Sequence, residues 1–178
     1  GNYGGCALLT TGGVKCWGSR TGGATDSSSV PIDVIGLTSG VKKITVGDQG
    51  ACAITNAGAA KCWGWNSGHG RFGLGNTADQ SRAVDIPGLG SGVQDVAVGA
   101  GVACFVTSIG AVKCAGQFTW SWDRWWSYAP TYTNYGTSLT EIPTLSSDVV
   151  KVSIAYRHAC VLTSGGAVKC WGLEYLGD

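Results

Sequence analysis

The sequence predicts an all-β chain assembled from one repeated unit, and three observations lead there. First, the cysteines fall as Cys6/Cys16, Cys52/Cys62, Cys104/Cys114 and Cys160/Cys170, ten residues apart each time. Second, the segments they bound align without gaps: CALLTTGGVKCWG, CAITNAGAAKCWG, CFVTSIGAVKCAG and CVLTSGGAVKCWG. Third, two further strand-like pieces recur upstream, so the unit repeats about every 50 residues, with first cysteines stepping by 46, 52 and 56. Self-similarity at such a period marks solenoids, propellers and arrays. Helical solenoids share the period, but 30 glycines, β-branched runs and the lack of helical periodicity beyond a turn argue against them. Three to four short strands per repeat is the composition of a propeller blade.

The piece eleven residues before a first cysteine reads VKKITVG from Val41, VQDVAVG from Val93 and VVKVSIA from Val149. Apolar residues at its first, fourth and sixth positions predict a short strand with a bulge or a buried face. Before it lie VPIDVIGL from Val30, AVDIPGL from Ala83 and LTEIPTL from Leu139, which read as an outer strand. The repeat is therefore outer strand, turn, inner strand, turn, cysteine hairpin and Gly-rich loop. One repeat domain covers 1–178, with hairpins at 6–18, 52–64, 104–116 and 160–172 and an aromatic insertion at 117–135.

The hairpin register follows from its turn. A three-residue hairpin loop ends on a residue in the left-handed region, normally Gly. Placing Thr10, Thr11 and Gly12 there pairs Leu9 with Gly13, and counting outward pairs Cys6 with Cys16. The same count works at Gly58, Gly110 and Gly166. Directly opposed residues lie ~4.5–5.5 Å apart at Cα, within reach of a disulfide. The expectation is four disulfides, each closing a hairpin and adding up to ~3 kcal/mol in the chain-entropy account. The alternatives are four pairs of reduced cysteines, or a zinc site, although zinc ligands usually sit as closer C-x2-C pairs. Four disulfides imply an oxidising compartment, hence a secreted or cell-surface protein.

Composition narrows the function classes. Twelve cations against eleven anions leave a net charge of +1, and only 13% of residues are charged. So few cations do not suit phosphate neutralisation, which argues against nucleic-acid binding. No run approaches the ~20 apolar residues of a membrane helix. The chain starts at Gly1 and contains no Met, which is expected of a processed chain or of a piece of something longer.

No nucleophile elbow, zinc-protease motif, phosphate loop or calcium loop appears, and the eleven acidic residues look scattered. His69 and His158 stand about 90 residues apart in non-equivalent repeat positions; the first is expected to be exposed and the second to pack and hydrogen-bond. No catalysis, cofactor or metal is expected. Lys15, Lys61, Lys113 and Lys169 recur just before each second cysteine and read as a solvated rim. Trp17, Trp63 and Trp171 recur just after it and read as core residues.

With these motifs in view, the chain resembles the regulator-of-chromosome-condensation repeat. The resemblance is carried by the V-x-x-[IV]-x-[VI]-G strand, the A-C-x-[LIV]-T-x-x-G-x-V-K-C-W-G hairpin, the GWNSGHGRFGLGN loop from Gly64 and the P-x-V-x-G-L stretch. It spans essentially the whole chain and is strongest to the extracellular, cysteine-containing bacterial variety. It implies a β-propeller, usually seven-bladed. Here about 3.5 repeats imply an incomplete ring, starting after an inner strand and stopping before an outer one, so that the open ends invite protein partners. Three departures stand out: four cysteine hairpins against three of each other strand unit, a third repeat with Ala115 in place of the motif Trp and the aromatic insertion in place of the standard loop, and a short first loop from Ser19 to Ser29.

That insertion gathers Trp120, Trp122, Trp125, Trp126, Tyr128, Tyr132 and Tyr135 within 16 residues. Such density serves as a plug over the propeller, as an interface anchor, or as a sugar-stacking platform. The binding candidates are Trp120, Trp122, Trp125, Trp126, Tyr128 and Tyr132. Two functions follow as expectations. One is an extracellular interaction scaffold, which binds protein through loops and open edges: copies of itself head to tail, or the rest of a larger propeller. The other is a carbohydrate-binding module built on the insertion. The nucleotide-exchange role of the eukaryotic relative ranks below both, because disulfides and a neutral surface suit neither nucleus nor chromatin.

Overall fold

The computed structural model describes residues 4–18, 27–118, 134–155 and 158–172. Within them the chain is all-β and forms four antiparallel sheets, each a meander in chain order. The first sheet holds β1 (Gly4–Leu8), β2 (Val14–Gly18) and β3 (Ser28–Asp33). The second holds β4 (Val41–Val46), β5 (Gly50–Thr55), β6 (Ala60–Gly64) and β7 (Gln80–Asp85). The third holds β8 (Val93–Val98), β9 (Val102–Thr107), β10 (Val112–Gln117) and β11 (Asn134–Glu141). The fourth holds β12 (Val149–Ile154), β13 (His158–Thr163) and β14 (Val168–Gly172). Against the four-stranded middle sheets, the first lacks a leading strand and the fourth a final one among the described residues, as the repeat count predicts.

Each hairpin takes the register its turn glycine dictates. Gly12, Gly58, Gly110 and Gly166 sit at φ 81°, 79°, 80° and 84°, where a Cβ would be strained. Leu9 N–H donates to the Gly13 carbonyl at 2.8 Å, so this pair is hydrogen-bonded. Antiparallel alternation then makes Cys6 and Cys16 a non-hydrogen-bonded pair, the closer class. All four disulfides form, with Cα atoms 4.0–4.1 Å apart, slightly closer than expected. No cysteine is free. Intact mass without reductant should therefore fall eight hydrogens below the reduced value; a free thiol or a bridge between repeats would contradict this pairing.

The leading strands carry the bulge their pattern predicts, at Val41/Lys43, Val93/Asp95 and Val149/Lys151. The final strands are shorter at one end than the sequence suggests. They stop at Asp33, Asp85 and Glu141, and the following VIGL, IPGL and IPTL residues form turns. The turn folds back on the hairpin: Val34 N–H donates to the Val14 carbonyl at 3.0 Å and Val14 N–H to the Leu37 carbonyl at 2.8 Å. The equivalent bonds from Ile86 to Ala60 and from Ile142 to Val112 measure 3.1 and 2.9 Å.

Pleat alternation explains the core. Side chains on successive residues leave a sheet on opposite faces, so each sheet offers one face to its predecessor and one to its successor. Cys52, Ile54, Ala60 and Cys62 face the third sheet and pack with Val93, Val96 and Phe105. Their neighbours Ala51, Ala53 and Trp63 face the first sheet and pack with Val14, Cys16, Val34 and Leu37. A third cluster joins Cys104, Val106, Val112 and Cys114 to Val149, Val152, Ala159 and Val161 across the third and fourth sheets. The hydrophobic core is thus three inter-sheet layers.

The same alternation corrects the expectation for the recurring tryptophans. All three face backward, but only Trp63 is fully buried. Trp171 is half-buried against the third sheet, and Trp17, with no sheet before it in the described residues, is 36% exposed. At the other end, no described sheet follows the forward face of the fourth sheet. Val168 is 65% exposed, whereas its counterparts Val14, Ala60 and Val112 are fully buried.

Candidate functional site

Six of the predicted binding residues, Trp120, Trp122, Trp125, Trp126, Tyr128 and Tyr132, lie outside the described residues. The roots of their segment do not. Phe118, 1% exposed, leaves β10 into the inter-sheet core. Asn134 and Tyr135, counted with the insertion in the sequence, begin β11 instead. Phe118 and Tyr135 meet edge to face at 6.5 Å, and the Trp171 indole N–H donates to the Tyr135 hydroxyl at 2.7 Å. Burial raises the Tyr135 pKa above the usual tyrosine range, and the Trp171 hydrogen bond pulls it partly back. Phe118 and Tyr135, on either side of the undescribed part of the insertion, therefore sit at the junction of the third and fourth sheets.

Beside them runs a groove of about 510 Å³ between β11 with its following turn and β14. Tyr135, Ile142, Pro143, Leu145 and Trp171 supply its apolar wall, and Glu141 and Lys169 its charged mouth. It lies where the fourth sheet, unlike the second and third, has no final strand among the described residues.

Three polar features were not legible as partners in the sequence. Lys15 pairs with Asp33 at 2.9 Å and Lys61 with Asp85 at 2.7 Å, each between the last two strands of its sheet. Lys113 stands opposite Glu141 in the same register. The lysine rim is thus faced by an acidic column, a regular feature that had looked like scattered acids. Asp95, 3% exposed in β8, accepts from Lys43 Nζ in β4 and from Val152 N–H in β12 at 2.8 Å. One carboxylate so ties three leading strands together. The signal was present as Lys43, Asp95 and Lys151 at the same motif position.

The third feature is Arg71, fully buried in the GHGRFG loop. Its Nη1 donates to the carbonyls of Gly99 and Ala100 at 2.8 and 2.9 Å, and its Nη2 to that of Trp65. The guanidinium lies over the Phe72 ring at 5.2 Å and the Trp65 ring at 5.5 Å. Burial lowers its pKa to about 10, with Asp48 and Asp79 opposing, so it remains a cation at neutral pH. Arg71 fastens the loop of the second sheet to the third. The same loop closes on β11 through a Leu74–Ser138 bridge, and a Cβ added at its Gly73 would stand 2.9 Å from Leu139 and 3.3 Å from Ala115.

His69 is exposed, as expected, and His158 is half-buried in β13, its carbonyl accepting from Ala155 N–H at 2.9 Å. Among the described residues no group of three metal-ligating side chains occurs, and no helix is long and apolar enough to cross a membrane.

Comparison with known proteins follows the same lines. The family model described as Regulator of chromosome condensation (RCC1) repeat matches residues 41–71 and 149–177. No curated protein sequence matches. Human WBSCR16 superposes with a TM-score of 0.72 at 16% identity, covering 96% of this chain and 45% of that one. Yeast RCC1 (Prp20), solved with Kap60, gives 0.67 at 19% identity, covering 90% and 40%. The ectodomain of the Physcomitrella patens receptor kinase CR4 gives 0.56 at 19% identity, covering 98% and 38%. The chain thus spans less than half the length of each of these structures, and at such identities the likeness speaks for the fold. Residues 41–71 and 149–177 are thus matched as repeats of the regulator-of-chromosome-condensation type, and the meander sheets give the chain the blade fold of its structural neighbours.

Proposed function

We propose that this chain is an extracellular interaction scaffold that binds protein through its loops and open blade faces and assembles head to tail with copies of itself. The observation that carries the reading is the complementarity of the two outer sheet faces, those against which no further described sheet packs. The forward face of the fourth sheet presents Val168 and Cys170, the counterparts of Val14 and Cys16. In the first sheet those residues are covered by the backward face of the second, through Ala53 and Trp63. The backward face of the first sheet carries Ala7 and Trp17 at the matching positions. One end therefore has the chemistry that covers the other. A contact between unlike faces is heterologous and yields rings or filaments. Four disulfides support the oxidising compartment. Among the structural relatives, yeast Prp20 was solved with a protein bound and CR4 as an ectodomain. In this reading the chain binds and does not catalyse.

Sedimentation across micromolar concentrations should show association that Val168→Glu abolishes while disulfides and circular dichroism stay unchanged. A monomer at every concentration would overturn self-assembly. The second reading, a lectin-like module, rests on the aromatic run anchored at Tyr135 and Trp171. Binding on a glycan array by the Val168→Glu monomer would favour it.

A further inference from the structure

We propose that the junction of the second and third sheets holds a bound water molecule among Asp48, Ser67 and Arg71, which completes the joint between the loop of one sheet and the body of the next. Three buried polar atoms point to it. Asp48 Oδ1, Ser67 Oγ and Arg71 Nε have no hydrogen-bond partner among the described residues. Ser67 and Arg71 are themselves buried, and Asp48 is half-buried with this one oxygen covered. Groups so placed are nearly always paired, with protein or with ordered water. The three belong to one small region. Gly50, two residues after Asp48, lies so close under the guanidinium that a Cβ there would stand 2.9 Å from the Arg71 Cζ. The Gln49 carbonyl accepts from Trp65 N–H at 2.8 Å, and the Trp65 carbonyl, two residues before Ser67, accepts from Arg71 Nη2. The turn 47–50 and the loop 65–71 thus fold around one cation.

The donor set selects the occupant. Arg71 Nε offers one N–H, a carboxylate oxygen only accepts, and a serine hydroxyl does either. Asp48 and Arg71 form no direct ion pair among the described residues. Yet Asp48 is the first of the two anions that oppose the lowering of the Arg71 pKa by burial. Opposite charges that attract without touching are the setting in which a water bridges. A metal or ammonium ion would face the guanidinium and leave Nε without an acceptor, and an anion would face the carboxylate. Water accepts from Nε, donates to Oδ1 and makes its third bond with Ser67 Oγ, the number that buried waters typically make. The remaining guanidinium bonds run to Trp65 in the same loop and to Gly99 and Ala100 in the third sheet. Through the water the cation is also tied to the first turn of its own sheet. Ala100 stands at the place of Asp48 in the third sheet and has no side-chain acceptor to offer there.

The test is NMR of the folded, disulfide-intact protein with its arginines labelled at nitrogen. Arg71 Nε–H should show a cross-relaxation peak to water with the sign of a long-lived dipolar contact, opposite to that of hydrogen exchange. Asp48→Asn keeps an oxygen acceptor without the charge and should keep the peak. Asp48→Leu should remove it and speed Nε–H exchange roughly tenfold, the scale of one acceptor lost from a buried donor. Ser67→Gly, which suits the φ of 61° at that position, should weaken the peak without removing it. Should the leucine variant not fold, Ser67→Gly decides, and an unchanged peak would overturn the proposal. A parent protein without the peak, a peak untouched by Asp48→Leu, or equal loss in Asp48→Asn and Asp48→Leu would overturn it too. So would a crystal structure in which the Asp48 carboxylate bonds Nε directly.

Discussion

Asp95→Ala should lower the stability of the fold by about 2–4 kcal/mol, because it strips two buried N–H donors and a lysine of their acceptor. Asp95 Oδ1 accepts from Val96 N–H at 2.9 Å and from Lys43, and Oδ2 accepts from Val152 N–H at 2.8 Å. The lysine is 43% exposed and can turn to water, so the two orphaned amides account for most of the cost. For a chain of this length the loss corresponds to a drop in Tm of about 5–15 °C. Asp95→Asn should fall between: its amide nitrogen must face one of the donors that the carboxylate now satisfies. Thermal melting of the disulfide-intact variants is the measurement. An alanine variant as stable as the parent would mean that the three leading strands are held together without this carboxylate.

The second large effect is expected at a hairpin tip, and it comes with an internal control. Gly110 and Gly166 sit at the same turn position with φ 80° and 84°. Valine at either costs on the order of 1–2 kcal/mol in backbone strain, since a β-branched residue resists the left-handed region. At Gly110 a Cβ would also stand 2.4 Å from Asp148 N and 2.8 Å from Val149 N, where the next blade begins; at Gly166 it meets nothing within 4 Å. Gly110→Val should therefore be destabilised by at least a further 2 kcal/mol or so, in the range of overpacking a tight contact. Gly166→Val should show the strain alone. Equal Tm values for the two variants would refute the close contact between hairpin tip and next blade.

The contrast between those glycines shows what a sequence can and cannot disclose here. Hairpin register was legible because it depends on residues ten apart and one glycine between them, all inside one motif. The bulge in the leading strand was legible for the same reason, from apolar residues at its first, fourth and sixth positions. Burial was not, because it depends on what stands in front of a residue. Trp17, Trp63 and Trp171 share one motif position, yet Trp17, with no described sheet before it, is 36% exposed, while Trp63 and Trp171, each packed on a preceding sheet, are fully buried and half-buried. Asp95 and Arg71 were hidden for a related reason. Their partners lie 52 and 57 residues away for Asp95 and 28 and 29 for two of those of Arg71, in other sheets. Neither residue completes a recognisable motif in its own segment. The acidic column was visible in principle, as Asp33, Asp85 and Glu141 at a constant place before the turn. Its meaning required the register that sets each acid beside a lysine. The candidate aromatic surface was legible as composition only; the structure adds the anchoring of its ends by Phe118, Tyr135 and Trp171.

Every disulfide closes a hairpin inside a single sheet, and none joins one sheet to the next. Covalent closure therefore stiffens the units without tying them into a row; what joins neighbours is apolar layering, backbone bonds such as Val93 N–H to the Gly58 carbonyl at 2.9 Å, Asp95 and Arg71. Pulled from its two ends, such a chain parts at the seams between sheets, as a necklace opens between its beads. Each released unit then pays out its loops and its outer and leading strands but keeps its hairpin shut, withholding about 30 Å of contour at the reach of an extended chain. A reducing milieu would return that length. In an oxidising one, the protein yields in short, discrete steps, and each unit keeps the turn from which its own sheet can re-form.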